Sequence, residues 1–297
     1  MSKPVSWDDQ RCFHAVLEAG SLSGAARRLG VSQPTVRARI EALERALDTV
    51  LFTRSVNGLT PTDAAGALSE SVRTMAMASD QFVRQASAPP GEVAGVVRVS
   101  VPEFMGVEVV PAMLVRLRER LPRIRVELVL SNETANLLGQ EVDVAVRTFA
   151  PTQEALVARK VAMICLGFFA SPGYLARRGV PRTLSDLAQH DLIGPDRRRG
   201  DLAMLSAVAP QLSPQRLVLR TDSHVAQFAA ARAGLGVAVG QVPVGERDAA
   251  LQRVLPDFKA AEMGVWVVMH ENMRLVPRVQ AVFDGLAVEF QAFSPTA

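Results

Sequence analysis

The chain is 297 residues long, 48% hydrophobic and 21% charged, with a formal charge of +3. Two or three well-packed folding units are expected at that length, and any nucleic-acid surface must be a local patch. No apolar run reaches the roughly 18–20 residues that span a bilayer, the start MSKPVSWDDQ lacks a signal-peptide core, and Cys12 and Cys165 fit no redox or metal spacing, so a cytoplasmic protein with reduced thiols is expected.

The N-terminal part is read as helical. Trp7, Phe13, Val16 and Leu17 recur at helical spacing, predicting a helix over 8–19 that Gly20 ends. Ser23 is expected to cap a short second helix, whose Ala25 and Ala26 permit close packing and which closes at Leu29 and Gly30. Ser32 caps a third helix, with Pro34 accepted in its first turn. A short helix, a glycine turn and a longer helix form a helix-turn-helix pattern.

In the third helix Val36, Ile40, Leu43 and Leu47 share one buried stripe, while Gln33, Pro34, Thr35, Arg37, Ala38 and Arg39 lie at the start, mostly off it. That end of a recognition helix enters the major groove, where Gln bonds adenine edges and Arg reads guanine or holds phosphate. The alternative is an amphipathic helix with a solvated arginine face. The segment 51–62, LFTRSVNGLTPT, has two extended runs about Asn57-Gly58, a hairpin read as a wing with Arg54 placed for phosphate.

A long helix starts at Thr62. Ala65, Leu68, Val72, Met75, Ser79, Phe82 and Ala86 alternate spacings of 3 and 4, a seam that fits pairing between chains or packing on its own domain. Leu68, Val72, Met75 and Phe82 are the dimerisation candidates, and Pro89, Pro90 and Gly91 form a hinge.

FHAVLEAGSLSGAARRLGVSQPTVRARIEALERAL, then LFTR, then GLTPTDAAGAL, resembles the LysR-type transcriptional regulators. The resemblance runs weakly on to about residue 290. It implies a winged helix-turn-helix over 1–61, a dimerising linker helix and hinge over 62–90, and a two-lobed α/β effector domain built like a periplasmic binding protein over 91–297. Its lobes are expected at about 91–164 with 268–297, and at about 165–267. The partners implied are double-stranded promoter DNA, a small-molecule effector and further copies of the chain, as dimers paired into tetramers, with RNA polymerase a further candidate. No cofactor, enzymatic activity or membrane partner is expected. Ser32, Gln33 and Pro34 match the family's opening of the recognition helix and Arg54 its wing arginine, with Ser23, Thr35, Arg37 and Arg39 completing the candidate DNA-binding set. Arg37 and Ala38 stand where the family commonly has Ser then Arg. One residue turns a helix by about 100°, which puts base preference in question. Ala65 replaces the family's usual Gly.

From residue 96 the pattern alternates. Strands are expected at 96–101, 125–130 and 142–147, with helices at 105–121 and 133–140 between them, implying a parallel sheet with helices on both faces. An apolar strand follows over 157–171, then a helix at 171–179, a strand at 217–222, a helix at 223–234, strands at 235–240 and 264–270, and a closing helix at 276–293. Ligands in such open sheets sit at the carboxyl ends of strands. That selects Ser100, Pro102, Glu103 and Phe104, then Ser131, Asn132 and Glu133, then Thr221, Asp222, Ser223 and His224, with Arg147 and Thr148 facing the cleft from the side. Ser131, Thr221 and Ser223 equally fit helix caps, and Glu103 and Glu133 fit first-turn acids. If the glutamates line the cleft they repel a carboxylate effector, which Arg147 attracts.

Other motifs lead nowhere. GLGVAVG (234–240) has the wrong spacing and follows a helix, so it is no dinucleotide site. Asp222, Ser223 and His224 are merely adjacent, and the four histidines lack metal spacing. The run RRRG (197–200) reads as a solvated loop. The competing readings are an enzyme carrying a DNA-binding head and an architectural DNA-binding protein with a non-sensing α/β domain.

Overall fold

Ser6, Ser21, Ser32 and Thr62 each start a helix in the computed structural model, which describes residues 5–55, 58–86, 91–132, 142–153, 155–208 and 217–293. The chain divides into two compact units, one built from residues up to Ala86 and one from those after it. In the first, α1 (Trp7–Ala19) ends at Gly20 in the left-handed conformation, and α2 (Leu22–Leu29) ends the same way at Gly30. The cap of α2 is Ser21, whose side chain accepts from the Gly24 amide, so the helix begins earlier than expected and Ser23 lies inside its first turn. In α3 (Gln33–Leu47) the Ser32 side chain accepts from the Thr35 amide.

Val36, Ile40 and Leu43 are buried against Phe13, Val16, Ala25, Ala26 and Leu51. Leu47 is exposed, because α3 ends at Asp48 before the stripe can close over it. Strands β1 (Phe52–Ser55) and β2 (Gly58–Pro61) pair antiparallel, Arg54 opposite Leu59. Asn57, the first half of the expected turn, lies outside the described residues. Glu44 ties α3 to this hairpin: its carboxylate accepts from the amides of Leu51 at 2.7 Å and Phe52 at 3.3 Å.

Helix α4 (Asp63–Gln85) divides the expected seam. Ala65 and Val72 are buried in the core of the first unit, whereas Leu68, Met75, Phe82 and Val83 are exposed. Val72 therefore packs within its own domain. At the hinge, Pro89 and Pro90 lie outside the described residues.

The second unit rests on one mixed sheet. Strand β3 (Gly95–Val101) lies parallel to β4 (Ile124–Leu130) on one side and to β5 (Val144–Arg147) on the other. Beyond β5 run β11 (Ala261–His270) and β6 (Leu156–Ala170), antiparallel. The parallel pairing expected of the first three strands holds, and the sheet becomes mixed beyond them: the chain leaves the first lobe along β6 and returns along β11, which sets those two strands against each other. The carboxyl-terminal part of β6 carries β9 (Ala238–Gln241) on one edge and β10 (Gln252–Val254) on the other. A small parallel pair, β7 (Leu192–Gly194) and β8 (Leu217–Arg220), completes the second lobe.

The single helix expected over 105–121 is two, α5 (Glu103–Glu108) and α6 (Val110–Arg120), broken at Val109. Pro111 sits in the first turn of α6, where its missing N–H costs nothing. Helices α7 (Pro172–Arg178), α9 (His224–Arg232) and α11 (Pro277–Phe293) fall where the periodicity put them. The run Arg197–Gly200 is no loop throughout, since α8 (Arg199–Val208) begins within it. The core unites Val97, Val99 and Val101 of β3 with Met113 and Leu117 of α6 and Val282, Phe283, Leu286 and Phe290 of α11. The helix expected over 133–140, and Glu133 with it, lies outside the described residues.

Candidate functional site

In the first unit the start of α3 stands clear of the core. Ser32, Gln33, Pro34, Thr35, Arg37 and Ala38 are exposed, as are Ser23 on α2 and Arg54 on β1. Ser32 and Thr35 also hold one another, hydroxyl to hydroxyl, at 2.7 Å. Arg39 is turned away from this group. Its Nη1 donates to Asp9 at 3.1 Å and its Nη2 lies 3.6 Å from Asp8, which pins α3 to α1. That bond to Asp9 holds the Arg39 guanidinium above its ordinary pKa. Among the described residues no acid pairs with Arg37 or Arg54, so their charges face outward.

Gly58 fixes the hairpin's position. Its φ is +127°, and a β-carbon there would meet the Gly20 carbonyl oxygen at 2.7 Å. The next amide, Leu59, donates to that same oxygen at 3.0 Å. The wing is therefore laid directly on the turn between α1 and α2, a contact only glycine allows.

In the second unit two adjoining cavities form one cleft. The outer, about 340 Å³, is lined by Pro102, Ser131, Asn132, Arg147, Thr148 and Arg198 among others. The inner, about 120 Å³, is lined by Phe168, Ile193, Leu205, Val239 and Ala260. Phe104, Leu166, Asp201, Met204, His224, Gln241 and Met263 face both. The ends of β4 and β5 bring Ser131, Asn132, Arg147 and Thr148 to the cleft, β6 brings Leu166 and Phe168, and α8 adds Met204 and Leu205 to its apolar end.

Several sequence candidates have other employment. Ser100 is buried and accepts from Nη1 and Nη2 of Arg147, each at 3.2 Å. The Asp222 carboxylate accepts from the amides of Asp196, Arg197 and Arg198 at 2.9–3.1 Å, which holds the entry to α8 and keeps its own pKa low. Thr221 accepts from the Ser223 amide, and Ser223 caps α9 while its hydroxyl donates to Glu103 at 3.3 Å. Glu103 also has the Asn132 side-chain amide 3.5 Å away. Ser100, Glu103, Thr221, Asp222 and Ser223 line neither cavity. His224 lines both, with Nε2 at 2.9 Å from Asp201. The residues that sequence reasoning missed include Leu166, Phe168, Arg198, Asp201, Met204, Leu205, Gln241 and Met263. The apolar positions of α8 were the available signal, hidden by the arginines before them.

A winged helix-turn-helix followed by a two-lobed α/β domain with a cleft defines the class of one-chain DNA-binding sensors. Residues 7–66 match the bacterial regulatory helix-turn-helix protein model of the lysR family, and residues 90–291 match the LysR substrate binding domain. The chain belongs to the LysR family of transcriptional regulators. It is 24% identical over 288 residues to the transcriptional activator AaeR of Escherichia coli, covering 94% of this chain and 92% of that one. A Xanthomonas campestris regulator is 30% identical over 183 residues, an alignment spanning 62% of this chain and 53% of the relative. Among solved structures, CbnR aligns with TM-score 0.70 at 20% identity, over 94% of this chain and 99% of that one. The Vibrio cholerae virulence activator AphB aligns with TM-score 0.62 at 22% identity, over 95% and 98%.

Proposed function

We propose that this chain controls transcription by gripping promoter DNA through its first unit and responding to a small molecule held in the cleft of its second. The observation that carries this reading is the outward-facing set Gln33, Pro34, Thr35 and Arg37 at the start of α3, flanked by Arg54 on the wing. Gln33 reads a base edge, Arg37 reads a base or holds phosphate, and Ser23, Ser32 and Arg54 meet backbone phosphate. CbnR has been solved with its target DNA, which supports the same use of the head here.

Residues 1–61 act as the DNA-binding domain, 62–90 as linker and 91–297 as the sensing domain. The exposed Leu68, Met75 and Phe82 pair α4 with a second copy, and two dimers join as a tetramer. Effector binding favours one closure of the lobes, and differential affinity for the two states re-spaces the heads. RNA polymerase is the expected downstream contact, the cytoplasm the expected location, and no cofactor beyond the effector is needed. No helix among the described residues is long and apolar enough to cross a membrane.

Enrichment of bound sequences from a random duplex library tests the reading. The expected product is a discrete motif with two half-sites spaced by whole helical turns, whose affinity falls steeply with salt. Uniform coating without a motif supports the architectural alternative instead, and turnover of a cleft ligand supports an enzyme.

A further inference from the structure

Arg147 ends β5 with only 3% of its surface exposed, yet it lines the cleft. Its Nη1 donates to the Val146 carbonyl at 2.7 Å and approaches Ser100, and its Nη2 donates to the Ser100 hydroxyl at 3.2 Å. All these acceptors are neutral. No carboxylate among the described residues pairs with this guanidinium, and burial pushes its pKa down with nothing acting against it. A buried cation without a counter-charge is costly, so the cleft is incomplete as it stands.

The donors that remain are its Nε–H and one hydrogen of Nη2. These form one edge of the guanidinium fork, the geometry that takes both oxygens of a carboxylate. Asp201 and Glu262 line the same cleft, and neither bonds Arg147. Asp201 faces His224 at 2.9 Å, Glu262 accepts from Lys259 at 3.2 Å, and Glu103 accepts from Ser223. Arg198, half-buried at the same cleft, adds a second positive charge, which also acts on Asp222.

The inner chamber has a different chemistry. Phe104, Phe168, Ile193, Met204, Leu205 and Val239 make it mostly apolar, with Asp201, His224, Gln227 and Gln241 also on its wall, and its volume is about 120 Å³. An apolar cavity of about 150 Å³ takes a benzene molecule, so this one suits a single ring or a short branched chain. We propose that the cleft binds a small carboxylic acid, its carboxylate on the Nε–Nη2 edge of Arg147 and its ring-sized apolar body in the chamber beneath α8. The inference rests on the cleft being the effector site.

Titration calorimetry on the full-length protein with benzoate, benzamide and benzamidinium tests it, since the three share one ring and differ in charge. Benzoate is expected to bind in a saturable way, with benzamide weaker by roughly tenfold to a hundredfold and benzamidinium weaker still. Arg147→Gln should abolish the preference for benzoate over benzamide. Arg147→Lys should keep the preference while lowering affinity, because charge stays and the fork is lost. Val239→Phe should weaken both benzoate and benzamide by filling the chamber. Benzamide binding as tightly as benzoate overturns the carboxylate assignment. If Val239→Phe still weakens it, the cleft survives as the effector site. Absence of binding by all three, with the protein folded, overturns the ring-sized carboxylic acid and leaves the small-molecule reading of the cleft standing.

Discussion

Arg232 on α9 reaches Glu108 on α5 through two hydrogen bonds, at 2.8 and 2.7 Å, while its Nε donates to Asp248 at 2.6 Å. This guanidinium, raised above its ordinary pKa first by the bond to Glu108, ties the helix after β3 to the helix after β8, one from each lobe. It also lies over the Phe228 ring, at 4.9 Å from the centroid. Arg232→Met keeps that apolar coverage and removes the fork. The second unit is expected to lose about 2 kcal/mol, leaving two acids partly buried and unpaired. That corresponds to a fall in Tm of roughly 4–8 °C. An unchanged Tm in a calorimetric scan means the clamp contributes nothing to stability.

Stability of the second unit should fall in two steps on acidification. His190 has a pKa below its ordinary value, first because of burial and then because of the Arg178 charge. A histidine held neutral in the fold stabilises fully above its unfolded pKa near 6.5 and less as pH falls through the lower folded value. Asp222 and Asp186 are held low by backbone N–H donors, and at Asp248 burial pushes the pKa up but is outweighed by the Arg232 bond, the Ala250 amide and the Arg232 charge together. Their contribution is present above about pH 4 and is lost as pH falls through their depressed folded values. Denaturant midpoints measured from pH 8 to 3 should show both declines, and His190→Gln should remove the first. A flat profile from pH 7 to 5 in the unmodified protein would exclude the histidine's part.

Gly58→Ala is expected to displace the wing. The added methyl meets the Gly20 carbonyl at 2.7 Å, and the φ of +127° is strained for alanine. A cost of about 1–3 kcal/mol follows for the first unit. DNA affinity should drop on every sequence, because Arg54 moves with its strand. Chemical-shift changes confined to the hairpin, with affinity intact, count against that coupling.

Phe82 is the most exposed large hydrophobic side chain of α4 among the described residues, at 74%, with Met75 and Leu68 one and two heptads before it. Phe82→Asp combined with Met75→Asp places charge in any helix pair formed on this face. Sedimentation should then show smaller assemblies, with the helix content of the chain unchanged. Retention of the original assembly state would move the pairing face elsewhere.

The legible features were those set by local chemistry. The serine caps, the glycines at φ +63° and +67°, and the stripe Val36, Ile40 and Leu43 all act within one turn of their own position. Ser21 rather than Ser23 caps α2 because the chain leaves Gly20 in a left-handed turn, a geometry set by the preceding helix. The cleft was half legible. Pro102, Phe104, Ser131, Asn132, Arg147, Thr148 and His224 were found from strand ends, but Met204, Leu205 and Phe168 come from segments far away in sequence. Asp222 and Ser100 were in the right region with other partners, which strand-end rules do not distinguish. The antiparallel return of β11 against β6 joins residues about a hundred positions apart, a pairing that periodicity alone does not encode.

Three substitutions in the first unit separate reading, gripping and holding. Arg54 is exposed on β1, so Arg54→Ala should weaken binding to all duplexes and reduce the salt slope by about one. Gln33 is exposed at the first turn of α3, so Gln33→Ala should narrow the gap between the selected motif and random DNA by roughly 1–3 kcal/mol. Arg39 binds Asp9 and Asp8 on α1, so Arg39→Ala should lower the melting temperature of the first unit while leaving that gap in place. Anisotropy titrations at several salt concentrations, on the motif and on scrambled duplex, read all three. A loss of discrimination on Arg39→Ala with no change in melting would return Arg39 to the groove. Equal losses on both duplexes for Gln33→Ala would remove its base-reading role and leave Arg37 as the residue at the groove end of α3 that must supply it.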